Sequence, residues 1–231
     1  MDPRPATAVA PAFGHVRDWI FDLDNCLYPA STGLFALIDE RMGAYIQRLL
    51  DCDATEARRV QKAHFHQHGT TLAGLMKSHG VNADHFLEDV HAIPLDRVRC
   101  DEALASALSR LPGRRFVFTN GDAPYARRVL EAIGVGSHFD ELHDIHASEL
   151  RPKPDPHGYA LLCERFAINP AQALLVDDMA ANLAPAKALG MTTVWVDNGS
   201  ERGSHGADDR FIDYRIADVA EWLESILEDP K

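Results

Sequence analysis

The chain has 231 residues, of which 46% are hydrophobic and 25% are charged, and its formal net charge is −12. This length and composition are typical of a globular protein with one large domain, or with a core domain that carries an insertion. The negative charge argues against a nucleic-acid polymer or an anionic membrane as the partner, since both bind positive surfaces. A small anionic substrate stays compatible, because one metal ion and one lysine can make a pocket locally positive.

The chain begins with a segment rich in alanine and proline, residues 1–14, which we interpret as a flexible tail. This segment has no basic region followed by an apolar core, so it does not match a secretion signal. No apolar run approaches the length that crosses a bilayer. The four cysteines are scattered, without a Cys-x-x-Cys pair, as is typical of free thiols in a reducing compartment. We therefore expect a cytoplasmic location.

A buried strand is predicted over residues 16–21, a short apolar run that is followed by a turn. The apolar period then changes to that of helices, which we predict over residues 34–50, 53–69, 71–79 and 83–92. These helices interrupt the sheet directly after its first strand. We therefore interpret residues 30–100 as an inserted, entirely helical cap.

Beyond Asp101, predicted helices and strands alternate. The strands are residues 115–118, 141–145, 173–176 and 192–196, and the helices are residues 101–111, 124–133, 156–166, 180–189 and 217–227. Residues 198–209 are polar and are expected to be flexible. Such alternation predicts an α/β fold, with a Rossmann-like parallel sheet and helices on both faces. Residues 15–29 and 101–231 would form this core, and the cap would be inserted after the first strand.

Carboxylates follow two of the predicted strands, at the edge where ligands bind in open parallel sheets. The first strand is followed by Asp22 and Asp24, which lie on the same side of an extended backbone. Asp177 and Asp178 follow the strand at 173–176. Four carboxylates at one edge cannot all be ionised unless a cation neutralises them. Because an all-oxygen set of ligands suits Mg²⁺, these residues predict a magnesium site.

Two further segments predict a phosphate-binding function. The strand at 115–118 is followed by Thr119, Asn120 and Gly121. The threonine hydroxyl is a hydrogen-bond donor, and backbone N–H groups near Asn120 and Gly121 can hold phosphate oxygens. Lys153 has a proline on either side, which places it on a stiff loop before a helix. A lysine held in this way can face negative charge that grows during a reaction.

These segments resemble, in order, the four motifs of the haloacid dehalogenase (HAD) superfamily. The motifs read Asp22-Leu-Asp24-Asn25, Phe118-Thr-Asn-Gly121, Pro152-Lys-Pro154 and Val176-Asp-Asp178, the last with Asn182. The resemblance covers residues 16–198, and it implies the same core fold with a cap inserted after the first strand. It also implies a hydrolase, most simply one that acts on small phosphomonoesters.

The resemblance implies a role for each motif residue. Asp22 would be the nucleophile that forms an aspartyl-phosphate, and Asp24 would protonate the leaving oxygen and then activate a water. Thr119 and Lys153 would hold the phosphoryl group.

The same resemblance implies how the metal is held. Mg²⁺ would be bound by Asp22, Asp178 and the backbone carbonyl of Asp24. Asp177 and Asn182 would support this site.

Two stretches resemble one branch of the superfamily, the pyrimidine 5′-nucleotidases. They are residues 22–29, with the apolar helix that follows, and residues 68–76 in the cap. This likeness implies UMP, CMP or a related nucleotide as the substrate. Thr70 and Thr71, in the cap loop, would then offer hydroxyls to the base or the sugar.

One position departs from the family, because Cys26 stands where a threonine is usual. A thiol is a weak hydrogen-bond donor, so any bond that shapes this loop should be weaker. We therefore expect lower activity or a site that is open to oxidation.

Three other functions stay open on the sequence. The substrate can be a different phosphorylated metabolite, such as a sugar phosphate or pyridoxal phosphate. Carbon–halogen hydrolysis is disfavoured by Asp24, an acid suited to an alcohol leaving group, and by the acidic pair at 177–178. A non-catalytic binding module is opposed by the complete motif set.

Outside the motifs, His64, His66 and His68 are interpreted as a solvated helix face, since no third zinc ligand accompanies a His-x-x-x-His pair.

Overall fold

The computed structural model describes residues 9–199 and 203–227. Its centre is a sheet of six strands: β1 (Asp18–Phe21), β2 (Arg114–Phe118), β3 (Glu141–His143), β4 (Ala173–Asp177), β5 (Thr192–Val196) and β6 (Tyr214–Ile216). The strands lie in the order β3-β2-β1-β4-β5-β6, and every neighbouring pair is parallel. The predicted α/β fold, with a Rossmann-like parallel sheet, is confirmed.

Four α-helices follow β1 and precede α5 (Glu102–Arg110) in the chain: α1 (Leu34–Leu50), α2 (Ala54–His68), α3 (Thr71–His79) and α4 (Ala83–His91). Three of them begin at a polar residue whose side chain accepts a hydrogen bond from the first turn. These residues are Asp53, Thr70 and Asn82. Such caps satisfy N–H groups that have no partner within the helix, so the local sequence sets these boundaries.

The other helices alternate with the strands of the sheet. They are α5 (Glu102–Arg110), α6 (Ala123–Ile133), α7 (Pro156–Phe166), α8 (Ala180–Leu189) and α9 (Val219–Ile226). Alternate strand residues contribute to two separate apolar cores, as the period of an extended chain requires. Ile20 and Phe116 pack in one core with residues of α7 and α8, whereas Phe21 and Val117 pack in the other. Helices therefore cover both faces of the sheet.

The start of the described chain differs from the sequence-based expectation. Residues 9–14 are packed rather than flexible: Phe13 is 4% exposed and lies edge-on to Trp222, with ring centroids 5.6 Å apart. Val9 also forms a bridge with Leu227. The alanine- and proline-rich composition of this segment does not predict the packing, because the packing depends on one aromatic side chain, Phe13.

Strand β6 has no counterpart among the predicted strands, because it is short and carries no buried apolar run. The predicted flexibility of residues 1–8, and of residues 200–202 within the polar segment, falls outside the described residues.

Among the described helices, none combines the length and the apolar character that a bilayer span requires.

Candidate functional site

The predicted motif residues meet at the carboxyl edge of the sheet. Asp22 directly follows β1, which lies between β2 and β4, and its backbone N–H donates to the Val176 carbonyl at 2.8 Å. Thr119 directly follows β2, and Asp177 ends β4. The strand order reverses direction at β1, which is where open α/β sheets bind their ligands. The topology thus places Asp22 at the centre of the site.

Lys153 supplies positive charge to the site. Its side chain is buried, and Nζ donates to Asp22 Oδ1 at 2.7 Å, to Asp177 Oδ2 at 2.7 Å and to the Phe118 carbonyl at 2.8 Å. Burial alone would lower the pKa of Lys153, but Asp177 and Asp22 outweigh it and raise this pKa above its usual range. The ammonium group therefore stays charged between the two carboxylates.

Asn120 holds the Lys153 loop rather than pointing its side chain at a ligand. Its Oδ1 accepts from the Lys153 backbone N–H at 2.8 Å, and its Nδ2 donates to the Lys153 carbonyl at 3.2 Å. Thr119 is 1% exposed, and its hydroxyl oxygen accepts from the Gly121 N–H at 3.0 Å. The Gly121 N–H, for which the sequence suggests a phosphate partner, is thus engaged within the turn.

Three carboxylates form a candidate metal centre. Asp22, Asp177 and Asp178 are 7%, 0% and 3% exposed, and each offers an oxygen within 4.8 Å of the others. Burial raises the pKa of Asp22 to about 7, against the effect of Lys153 and together with that of Asp177 and Asp24. A buried, all-oxygen set with one compensating lysine fits a hard divalent cation such as Mg²⁺.

Asp177 has a supporting place in this cluster. Its Oδ1 accepts from the Met179 N–H and from Asn182 Nδ2, both at 2.9 Å, while its Oδ2 accepts from Lys153. These bonds use its lone pairs for positioning, so Asp177 has few left for an ion. The Asp24 carboxylate does not belong to the cluster in the described part of the chain.

Asp24 is held by two tyrosines for which the sequence predicts no role in the site. Its Oδ1 accepts from the Tyr28 hydroxyl at 2.6 Å and from the Tyr125 hydroxyl at 2.7 Å. Tyr28 lies four residues after Asp24 in the same loop, and this spacing is only a weak indication that the two side chains are in contact. Tyr125 belongs to α6, about a hundred residues away in the chain, and no local pattern links it to Asp24.

A cavity of about 1040 Å³ lies between the sheet edge and helices α1–α4. Asp22, Asp24 and Lys153 line it on one side, and aromatic side chains of α1, α2 and α4 line it on the other: Phe35, Phe65 and Phe86. Thr70 and Thr71 also line it, although the Thr70 hydroxyl oxygen already accepts from the Ala73 N–H at 3.1 Å. The two threonines therefore lie at the same cavity as the motif residues.

Cys26 is buried beneath the site. It is 5% exposed, and its thiol lies 3.8 Å from the Val176 carbonyl oxygen. Burial, with the negative charge of Asp22, raises the pKa of this thiol well above its usual value. Since oxidation needs an accessible thiolate, the expectation of a site open to oxidation is wrong.

The histidines of α2 do not form a three-ligand metal site. The His64 ring lies 5.9 Å from that of His68 and 6.1 Å from that of His79, between centroids. Within the described residues, the three-carboxylate cluster is the one group of His, Cys, Asp or Glu whose ligand atoms are close enough to share an ion. His66 is exposed, as expected for a solvated helix face. His64 is instead partly buried against α3, and its Nδ1 is buried without a hydrogen-bond partner among the described residues, so the expectation of a solvated face is wrong for His64.

Known proteins are similar to this chain in sequence and in fold. It is 26% identical over 208 residues to Phosphate metabolism protein 8 of Saccharomyces cerevisiae, a match that covers 82% of this chain and 61% of the yeast protein. It is 32% identical over 126 residues to the phosphoglycolate phosphatase of Rhodospirillum rubrum, which covers 52% of this chain and 50% of that protein. The chain thus spans about half to three fifths of these relatives.

The fold is similar to that of an HAD phosphatase from Thermococcus onnurineus, with a TM-score of 0.61 and 19% identity over 91% of this chain and 97% of that one. Because the two sequences are only 19% identical, this similarity is evidence for the fold alone. A family model described as a haloacid dehalogenase-like hydrolase matches residues 19–190. Because this match covers most of the chain and includes all four motifs, the protein belongs to the haloacid dehalogenase-like hydrolases.

Proposed function

We propose that the protein hydrolyses a small phosphomonoester with Mg²⁺, through an aspartyl-phosphate on Asp22. The observation that carries this proposal is the buried Lys153 ammonium, which contacts both Asp22 and Asp177 beside the third carboxylate, Asp178. A site of this kind offers a nucleophile and positive charge at the same point. It suits a substrate whose reacting group is anionic.

The first half-reaction would form the bond between an Asp22 oxygen and phosphorus while the ester P–O bond breaks. Lys153 would contact the phosphoryl oxygens and offset their charge, and the Thr119 hydroxyl would orient them. Mg²⁺, held by Asp22 and Asp178, would supply further positive charge to the phosphoryl group. Asn120 would keep Lys153 in place through its two bonds to the Lys153 backbone.

Asp24 would carry the proton in both halves of the reaction. It would protonate the leaving alcohol oxygen and then take a proton from the water that attacks the phosphoenzyme. An alcohol needs this proton to leave, whereas a halide ion does not. The position of Asp24 in the cavity, two residues after Asp22, therefore favours phosphate esters over haloacids.

We further propose that helices α1–α4 act as a cap and select the substrate. The corner between α2 and α3 contacts the Lys153 loop: a Cβ atom on Gly69 would lie 3.8 Å from Pro152. A cap in this position would exclude bulk water from the phosphoenzyme. A cavity of about 1040 Å³ has room for a leaving group as large as a nucleoside. Together with the resemblance of two stretches, this supports a pyrimidine nucleoside 5′-monophosphate.

The proposed chemistry is tested with p-nitrophenyl phosphate. We expect hydrolysis with Mg²⁺ and none in excess chelator, because the carboxylate cluster needs a cation to accept an anion. Asp22→Asn should abolish turnover, since an amide is a poor nucleophile, while the thermal unfolding midpoint shows that the variant is folded. Full activity of Asp22→Asn, or turnover without a divalent cation, would contradict the mechanism.

The proposed substrate is tested separately, with a panel of nucleoside monophosphates, sugar phosphates and pyridoxal phosphate compared by kcat/KM. We expect UMP or CMP to rank first, because the aromatic cap side chains can pack on a base. A sugar phosphate or pyridoxal phosphate in first place would remove the nucleotidase assignment. That result would leave the phosphatase chemistry intact.

A further inference from the structure

Two tyrosine hydroxyls converge on a single oxygen of Asp24. Tyr28 and Tyr125 are 4% and 1% exposed, whereas Asp24 itself is partly exposed and lines the cavity. Both hydroxyls donate to Oδ1, at 2.6 and 2.7 Å. Burial and the Asp24 charge raise the pKa of each tyrosine well above its usual value, so both keep their protons and remain donors.

This arrangement makes the two Asp24 oxygens unequal. An oxygen that accepts two O–H donors has no room for a proton of its own. The proton that Asp24 gives to a leaving group would therefore be carried on Oδ2. The two bonds also fix the side-chain torsions, and orientation of this kind contributes strongly to the rate of proton transfer.

A histidine from α4 packs against one of these tyrosines, Tyr125. The His91 ring stacks on the Tyr125 ring, with centroids 4.2 Å apart and an interplanar angle of 12°. His91 Nδ1 lies 2.7 Å from Asp122 Oδ1, which fixes the plane of the ring. Arg128 of α6 donates to the His91 carbonyl at 3.0 Å. The end of α4 is thus joined to the helix that carries Tyr125.

We propose that Tyr28 and Tyr125 are positioning residues that turn Oδ2 of Asp24 toward the leaving oxygen, and that His91 holds Tyr125 in place. This inference rests on the proposed phosphatase function. As the Asp22–phosphorus bond forms and the ester P–O bond breaks, the proton on Oδ2 moves to the departing alcohol oxygen. Asp24 is left as a carboxylate, which takes a proton from the attacking water in the second half-reaction.

The test compares two substrates that differ in their need for this proton. p-Nitrophenolate is stable as an anion and leaves without protonation, whereas the alcohol of β-glycerol phosphate requires it. The ratio of kcat/KM for the aryl ester to kcat/KM for the alkyl ester isolates the first half-reaction, because kcat/KM includes steps only through departure of the alcohol. We expect Tyr28→Phe and Tyr125→Phe each to raise this ratio about tenfold.

Two further variants separate positioning from general damage. His91→Ala should raise the same ratio by a smaller factor, since it removes only the ring behind Tyr125. Tyr45→Phe is the matched control: its hydroxyl lies 3.0 Å from His85 Nδ1, within the helical segment, and it does not contact Asp24. Its ratio should equal that of the wild type.

Each outcome decides one of the two claims. A wild-type protein that cleaves neither ester with Mg²⁺ would overturn the proposed function. An active wild type whose ratio stays within about twofold in the folded Tyr28→Phe/Tyr125→Phe double variant would overturn the positioning role alone. An equal loss for both esters would assign the tyrosines a structural role, and would also overturn it.

Discussion

Lys153 is a buried charged residue that two carboxylates stabilise in the fold, and we propose that it also takes part in the reaction. A buried lysine is costly unless its charge is paired, and Asp22 and Asp177 pair it at 2.7 Å each. In the proposed mechanism, the same contacts hold the ammonium group where the phosphoryl group would meet Asp22. An incoming phosphate would therefore share a charge that the folded protein already holds in position.

His143 differs from Lys153, because its buried ring has no hydrogen-bond partner among the described residues. It is 1% exposed, and neither of its ring nitrogens has a hydrogen-bond partner within the described residues. Burial lowers the pKa of His143 to about 4, and the nearby Arg165 acts in the same direction. The folded protein therefore holds this ring neutral.

A pH dependence of stability follows from His143. The unfolded chain takes up a proton near pH 6.5 and the folded protein only near pH 4, so the free energy of unfolding should fall as the pH drops through this window. His143→Phe should flatten that fall, because it removes the group that titrates. Urea unfolding from pH 7 to pH 4 measures it, with the exposed His66→Phe as the control. An unchanged slope in His143→Phe would contradict this explanation.

Two glycines of the helical segment show how close packing fixes the arrangement of α2 and α3. A Cβ atom on Gly74, in α3, would lie 2.4 Å from the His64 side chain, so the two helices touch at this point. Gly43, in α1, has no such close neighbour, since its Cβ atom would lie 3.8 Å from Gln61 Oε1. Both positions are within helices, where alanine is otherwise the better residue.

Opposite effects are expected from the same substitution at these two positions. Gly74→Ala should lower the free energy of unfolding by about 1–3 kcal/mol, because α2 and α3 must move apart. Gly43→Ala should raise it by up to about 1 kcal/mol through helix propensity. Denaturant unfolding of the two variants measures both values. A Gly74→Ala variant as stable as the wild type would show that the helices can separate without cost.

Local patterns predict most of these elements, and they fail where the information is not local. Helix α3 runs over Thr71–His79 as predicted, because Thr70 caps it and Gly80 ends it. The strand-end carboxylates are predictable for the same kind of reason, since each pair follows a buried apolar run. By contrast, Tyr125 contacts Asp24, and His91 contacts Tyr125, only through the packing of α4 and α6, which no spacing in the sequence encodes.

The chain as a whole is acidic, and the site carries more negative than positive groups. The net charge is −12, and the cavity edge places three buried carboxylates around one lysine. A divalent cation would bring this edge of the sheet closer to neutrality and allow an anionic group to enter. The apolar side chains of α1, α2 and α4 face the other side of the cavity. This arrangement agrees with the proposed substrate, in which a charged phosphate is joined to a largely uncharged nucleoside.

The proposed mechanism requires that Asp22 becomes covalently phosphorylated. The direct measurement is an acid quench of the protein during turnover of a radiolabelled phosphate ester with Mg²⁺, followed by mapping of the labelled peptide. We predict label on the peptide that contains Asp22, sensitive to hydroxylamine as an acyl phosphate is, and none in Asp22→Asn. Label on a different residue, or label that persists in Asp22→Asn, would contradict the account.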